Sequence, residues 1–183
     1  MKRTTLGVVV LMATFGLGLT GCHTTPKTEE KRQALDANVQ STLDTMRSAD
    51  PSFSAFLDKA YAYAVYPTVG KGGFLVGGSY GHGEVFEQGR MIGFSDITQA
   101  TIGAQIGGQS FAEVVALEDK AALDKFIASD YAFTAQVSAV AIKSGAAANA
   151  KFRDGVAVFT YAKGGLMAEA AAGGQRFRFD PAR

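Results

Sequence analysis

The chain has 183 residues, a formal net charge of +1, one cysteine, no tryptophan and 47% hydrophobic residues. That length suits a single domain with a sizeable core. The balanced charge excludes nucleic acid as the main partner, because nucleic acid requires a basic stripe.

Lys2 and Arg3 precede an apolar stretch over residues 6–19, which Leu19-Thr20-Gly21-Cys22 closes. A charged start, an apolar centre and small residues at a cut site describe a secretory signal peptide. The apolar stretch is shorter than the roughly 20 residues of a membrane span. Cys22 at the cut is similar to the cysteine of a bacterial lipobox, which is acylated and becomes the first mature residue. A single acyl chain anchors only marginally. Bacterial lipoproteins carry a diacylglyceryl group on sulfur and a further acyl group on nitrogen, which is sufficient. His23 follows the cysteine where aspartate would retain a lipoprotein at the inner membrane. The expected location is therefore the outer membrane of a Gram-negative bacterium, facing the periplasm. Once Cys22 is acylated, no thiol remains for a disulfide or a metal. The division expected is a lipoprotein signal peptide over residues 1–21, formed as a helix, an acylated tether over 22–30 and one domain over 31–183.

Leu35, Val39, Leu43 and Met46 repeat at three to four residues, so residues 29–48 predict an amphipathic helix packed on the domain. Asp50-Pro51 punctuates the chain. Ser52 is placed to cap a second helix, whose face is Phe53, Phe56, Leu57, Ala60, Tyr61 and Ala64 and whose end is Tyr66-Pro67. From Gly70 the chain turns glycine-rich and loses the helical period. Residues 84–87 and 90–94 flank Gln88-Gly89 and read as a hairpin. Residues 97–107 and 110–117 read as a strand pair. Residues 119–129 return to helix, with Asp119 as cap. Residues 131–143 alternate as a strand, 144–154 form a small-residue loop or short helix, and 156–161, 165–172 and 175–179 read as closing strands. Glycines within strands mark bends and bulges. The expected fold is α+β: a curved antiparallel sheet of about seven or eight short strands, barrel-like or a sandwich, with flanking helices.

The glycine-rich segments do not form a nucleotide site, because neither Gly70-Lys71-Gly72 nor the run from Gly78 to Gly83 opens a helix. His82, the one histidine inside the domain, reads as a turn residue at the sheet rim. It has no nucleophile elbow nearby and too few companions for zinc. The acid pairs Glu84 with Glu87 and Glu118 with Asp119 read as solvated charge. No catalytic residue, metal or cofactor is expected.

The segment Ala62-Tyr63-Ala64-Val65-Tyr66-Pro67-Thr68-Val69-Gly70-Lys71-Gly72-Gly73-Phe74 resembles the opening of the SYLF domain, the family of a yeast actin-associated protein. Ile102-Gly103-Ala104-Gln105-Ile106-Gly107-Gly108-Gln109 is similar to its central glycine and glutamine run. Tyr161-Ala162-Lys163-Gly164-Gly165-Leu166-Met167-Ala168 is similar to its closing strand. Phe94-Ser95 stands where the family usually has Trp-Ser, and residues 143–146 lack its Gly-Pro-Gly-Arg-like turn. The resemblance implies lipid binding, phosphoinositides in eukaryotic members, sometimes with actin association, although actin is absent from the compartment argued above. It makes the chain a lipid-anchored envelope lipoprotein with a lipid- or membrane-interacting module, not an enzyme. Its partners would be the membrane through Cys22, and anionic headgroups or an envelope protein. Lys71 and Lys163, each expected in a glycine-rich turn with free backbone donors, are the headgroup candidates. The alternative is a structural or partner-binding envelope protein whose domain has no lipid affinity.

Overall fold

The structure, a computed structural model, describes residues 26–73, 76–102, 109–128, 132–133, 139–162 and 173–182. Helix α1 (Glu29–Ala49) starts where the Thr28 hydroxyl accepts from the Lys31 amide, with Glu29 and Glu30 suiting the positive end of the helix dipole. It thus takes in the last two residues of the expected tether. The expected stripe is its packed face: Val39, Leu43 and Met46 are buried and Leu35 is partly so. In α2 (Pro51–Leu57) the cap is Asp50 rather than Ser52. The Asp50 carboxylate accepts from the Ser52 amide at 3.0 Å and hydroxyl at 2.6 Å.

That second helix is shorter than expected, and strand β1 (Ala62–Gly73) takes over before Tyr66-Pro67. The apolar residues here face both sides of a sheet covered on both faces, so the stretch has no strand-like alternation to read. Pro67 is tolerated because it lies in the register shift between Val65 and Thr68, outside the regular ladder. The remaining strands are β2 (Val76–Glu87), β3 (Arg90–Ile102), β4 (Gln109–Leu117), β5 (Ala132–Phe133), β6 (Val140–Ala141), β7 (Val156–Ala162) and β8 (Gly173–Pro181), with α3 (Lys120–Ile127) after β4. Asp119 caps α3 as expected, accepting from the Ala122 amide at 2.8 Å. The Gln88-Gly89 hairpin is present, with φ of 49° and 78° at its two turn residues. The expected strand over 165–172 and much of the one over 131–143 lie outside the described residues.

All eight strands belong to one sheet, ordered β5-β8-β3-β2-β1-β4-β7-β6, which is open at β5 and β6. The α+β architecture is as expected and the sandwich is not, since there is no second sheet among the described residues. Two further differences follow from the order. β3 and β4 are not partners, because β1 and β2 lie between them, and β6 runs parallel to β7.

The sheet is strongly curled. β4 and β8 are four strands apart in the order, about 19 Å if the sheet were flat. Yet the Gln175 side-chain amide on β8 donates to Glu113 on β4 at 3.0 Å. Tyr66 on β1 likewise reaches the ring of Phe177 on β8 at 5.8 Å. Glycine makes room for this: a Cβ on Gly83 would stand 2.7 Å from the Tyr66 ring and against the Val65 carbonyl. The inner face packs Ala64, Tyr66, Val85, Ile97, Val115 and Phe177 under Leu123 and Phe126 of α3. The outer face is covered over β1, β4 and β7 by α1 and α2, where Phe159 meets Phe53 and Phe56 edge-on at 5.1 and 4.9 Å. Asp50 ties that layer to a distant loop. It is fully buried and also accepts from the backbone amides of Gly145 at 3.2 Å and Ala147 at 2.7 Å. Burial alone would raise its pKa, but these bonds and those to Ser52 hold it below 3.8.

Candidate functional site

Beyond α1, none of the described helices packs on the outer face of β2, β3 and β8. Strict alternation in β2 puts Tyr80 and His82 on the same side as Glu84 and Phe86. Register places His82 opposite Asp96, and Asp96 opposite Arg178; in the next row Tyr80 faces Thr98 and Thr98 faces Arg176. His82 is therefore a mid-strand residue rather than a turn residue. Its Nδ1 lies 2.7 Å from Asp96 Oδ1, and the Tyr80 hydroxyl lies 3.1 Å from Nε2. The His82 and Asp96 side chains are 35% and 14% exposed, and Tyr80 is 40% exposed. Asp96 gives His82 the orienting carboxylate that a general base needs. The nearest serines, Ser79 and Ser95, alternate to the inner face, so the hydroxyls on the side of His82 are those of Tyr80 and Thr98. This row is a surface that can bind, through a cation, an imidazole and an exposed phenol.

A second polar group lies inside. Glu113 is 1% exposed among the aromatic residues of the inner face; one of its oxygens takes the Gln175 bond and Oε1 has no partner. Burial pushes its pKa up to about 7, with the Gln175 bond opposing. Nearby, the Tyr66 hydroxyl and the Ser95 hydroxyl lie 2.8 Å apart, and burial raises Tyr66 well above its usual value. On the outer face Glu84 is 2% exposed beneath α1, also pushed up to about 7, first by burial and then by Asp36 of that helix. The expectation of Glu84 as solvated charge is thus corrected: it lies under the helix that the apolar stripe docks. Sequence reasoning missed Glu113, whose only signal is a carboxylate within the otherwise apolar run over residues 111–117.

Cys22 and Lys163 lie outside the described residues. Lys71 sits in β1 rather than in a turn, paired with Ser79 on one side and Gln109 on the other, so its backbone is engaged in a ladder on both sides. The register still relates the two lysines. Lys71 lies opposite Gln109, and Ala162, which precedes Lys163, lies opposite Phe111 on the same strand. The glycine-rich connections all leave from this end of the sheet, where Gly73 meets Gly77, Val76 meets Ile102 and Thr101 meets Gly173. Among the described residues no group of three or more His, Cys, Asp or Glu side chains is placed to hold a metal, and no helix is long and apolar enough to cross a membrane.

Residues 98–182 match the profile of the family described as Ysc84, Las17-binding protein actin regulator. The chain is also 30% identical over 159 residues to beta cell expansion factor A of Aeromonas veronii, an alignment covering 85% of this chain and 60% of that protein. It thus spans about three fifths of the length of that relative. The profile match contains the central and closing SYLF-like motifs, and the relative extends the similarity toward the N-terminus. Residues 98–182 belong to the Ysc84 family of SYLF-domain proteins.

Proposed function

We propose that this protein is an acylated envelope lipoprotein, fixed to the outer membrane through Cys22, whose SYLF domain contacts lipid. The observation that carries the reading is the pairing, in one chain, of a lipobox-like Leu19-Thr20-Gly21-Cys22 with a domain of a lipid- and actin-associated family. An exported chain does not meet actin, which favours lipid over actin as the partner. The glycine-rich end of the sheet supports the reading in composition as well. In sequence, the glycine-rich segments include Phe74, Leu75, Ile106, Leu166 and Met167, together with Lys71 and Lys163. Apolar side chains flanked by cations suit the boundary between acyl chains and headgroups.

Two measurements test this. Intact mass of protein extracted from membranes is expected to show residues 1–21 removed and lipid on Cys22; a retained leader or a bare amino terminus overturns the anchoring. Charge reversal at Lys71 and Lys163 together is expected to weaken cosedimentation of the unacylated chain with anionic vesicles at low salt. Unchanged cosedimentation removes both lysines from the site. A stoichiometric envelope partner, together with no vesicle binding, would favour the partner-binding alternative.

A further inference from the structure

We infer that the uncovered part of the outer face, with Tyr80, His82, Asp96, Thr98, Arg176 and Arg178, is the surface that lies against the anionic headgroups of the membrane holding Cys22. The inference rests on acylation of Cys22 and adds which side of the domain meets the bilayer.

The leash between Cys22 and the domain is short. The chain is pinned just before α1, because the Arg32 side chain donates to the Pro26 carbonyl at 3.1 Å. The same guanidinium lies 5.6 Å from the centre of the Phe94 ring, on the outer face of β3. Cys22 precedes Pro26 by four residues, which reach no more than about 14 Å when fully extended. An acyl group on Cys22 therefore holds the bilayer within about 14 Å of Pro26, which the Arg32 side chain links to the outer face beside Phe94. Asp96 lies about 7 Å further along β3 and Thr98 about 14 Å, so the bare rows begin where the leash ends. Helix α3 is on the opposite side of the sheet, packed on the inner face.

These rows also present cationic and aromatic side chains. Phe177 and Phe179 of β8 turn to the inner cluster, which leaves Arg176 and Arg178 exposed on the outer side. Asp96 is the single carboxylate of these two rows, and it is already engaged by His82. Arginine is weakly hydrated and suits phosphate-bearing headgroups. Tyr80 is the exposed large apolar side chain among the described residues, and a phenol with a wet tip is an interfacial anchor. Two cations against one carboxylate leave one net positive charge, which biases the face-down orientation at an anionic surface roughly 5-fold.

The test uses the full, acylated protein in vesicles of phosphatidylethanolamine and phosphatidylglycerol. A fluorophore is placed at Thr98→Cys on the bare face or at Lys125→Cys on α3, both exposed positions, and quenching by lipids brominated near the headgroup is measured. Quenching at position 98 is expected to exceed that at 125 several-fold. It is expected to fall toward the value at 125 in Arg176→Glu/Arg178→Glu, in high salt, and in purely zwitterionic vesicles. The salt and lipid arms need no charge variant, so the outcome does not depend on that variant folding. Equal quenching at both positions on a sample whose mass shows lipid on Cys22, or quenching at 98 indifferent to both salt and lipid charge, overturns this inference and leaves the anchoring intact. A mass without lipid overturns the anchoring and this inference with it.

Discussion

The two faces of the curled sheet are built from the same strands and finished differently. The inner face is closed: apolar residues from six strands meet α3, and Gln175 bridges to Glu113 across the curl. The outer face is covered by α1 and α2 over one half and carries a polar row over the other. The strand sequences record this. All of residues 111–117 of β4 are buried, because both sides of that strand are covered. In β8, Phe177 is buried while Arg176 and Arg178 are exposed, because only one side is covered. Strict alternation thus marks where no described helix covers the sheet.

The covered outer half sharpens that contrast most. Phe159 is fully buried between the rings of Phe53 and Phe56. Phe159→Ala is expected to cost about 3–5 kcal/mol in chemical denaturation. A cost below about 1 kcal/mol would mean that α2 is not part of the cooperative unit. Asp50 comes next. It supplies bonds to three backbone amides, from Ser52, Gly145 and Ala147, so Asp50→Ala is expected to cost about 3 kcal/mol by leaving donors unpaired. Its folded pKa is depressed, so its contribution is present above the unfolded value and is lost as pH falls through the folded one. Denaturation midpoints below pH 4 should therefore converge for Asp50→Ala and the parent.

Glu113 runs the other way. Its folded pKa is raised to about 7 from 4.5, so the folded protein holds a proton that the unfolded chain has released. The contribution of Glu113 to stability should be greatest below pH 4.5, fall by up to about 3 kcal/mol as pH rises to 7, and then level off. Glu113→Gln should remove that fall. Glu84, shifted in the same direction beneath α1, should leave a fall of its own in the variant. A pH profile unchanged in Glu113→Gln would mean that the carboxylate is hydrated in solution.

What the sequence reveals follows the same division. Helices α1 and α3, the hairpin at Gln88-Gly89 and the alternation of β8 are legible because each has one covered side and one wet side, or a turn with a fixed chemistry. The start of β1 is not. Tyr63 packs on one cluster and Ala62 and Ala64 on the other, so apolar residues fall at every position and mimic a helix face. The separation of β3 from β4 depends on pairings far apart in the chain, which no local pattern encodes. The motifs that identify the family are visible in the sequence. The row of His82, Asp96 and Arg178 is not, because it exists only once three strands are in register.

The most direct measurement is cosedimentation of the unacylated chain, starting at residue 23, with phosphatidylglycerol vesicles across a salt series. The account predicts that the domain pellets with anionic vesicles at low ionic strength and is released as salt rises, without help from the lipid on Cys22. A domain that stays in the supernatant with every vesicle, at every salt concentration, would contradict it.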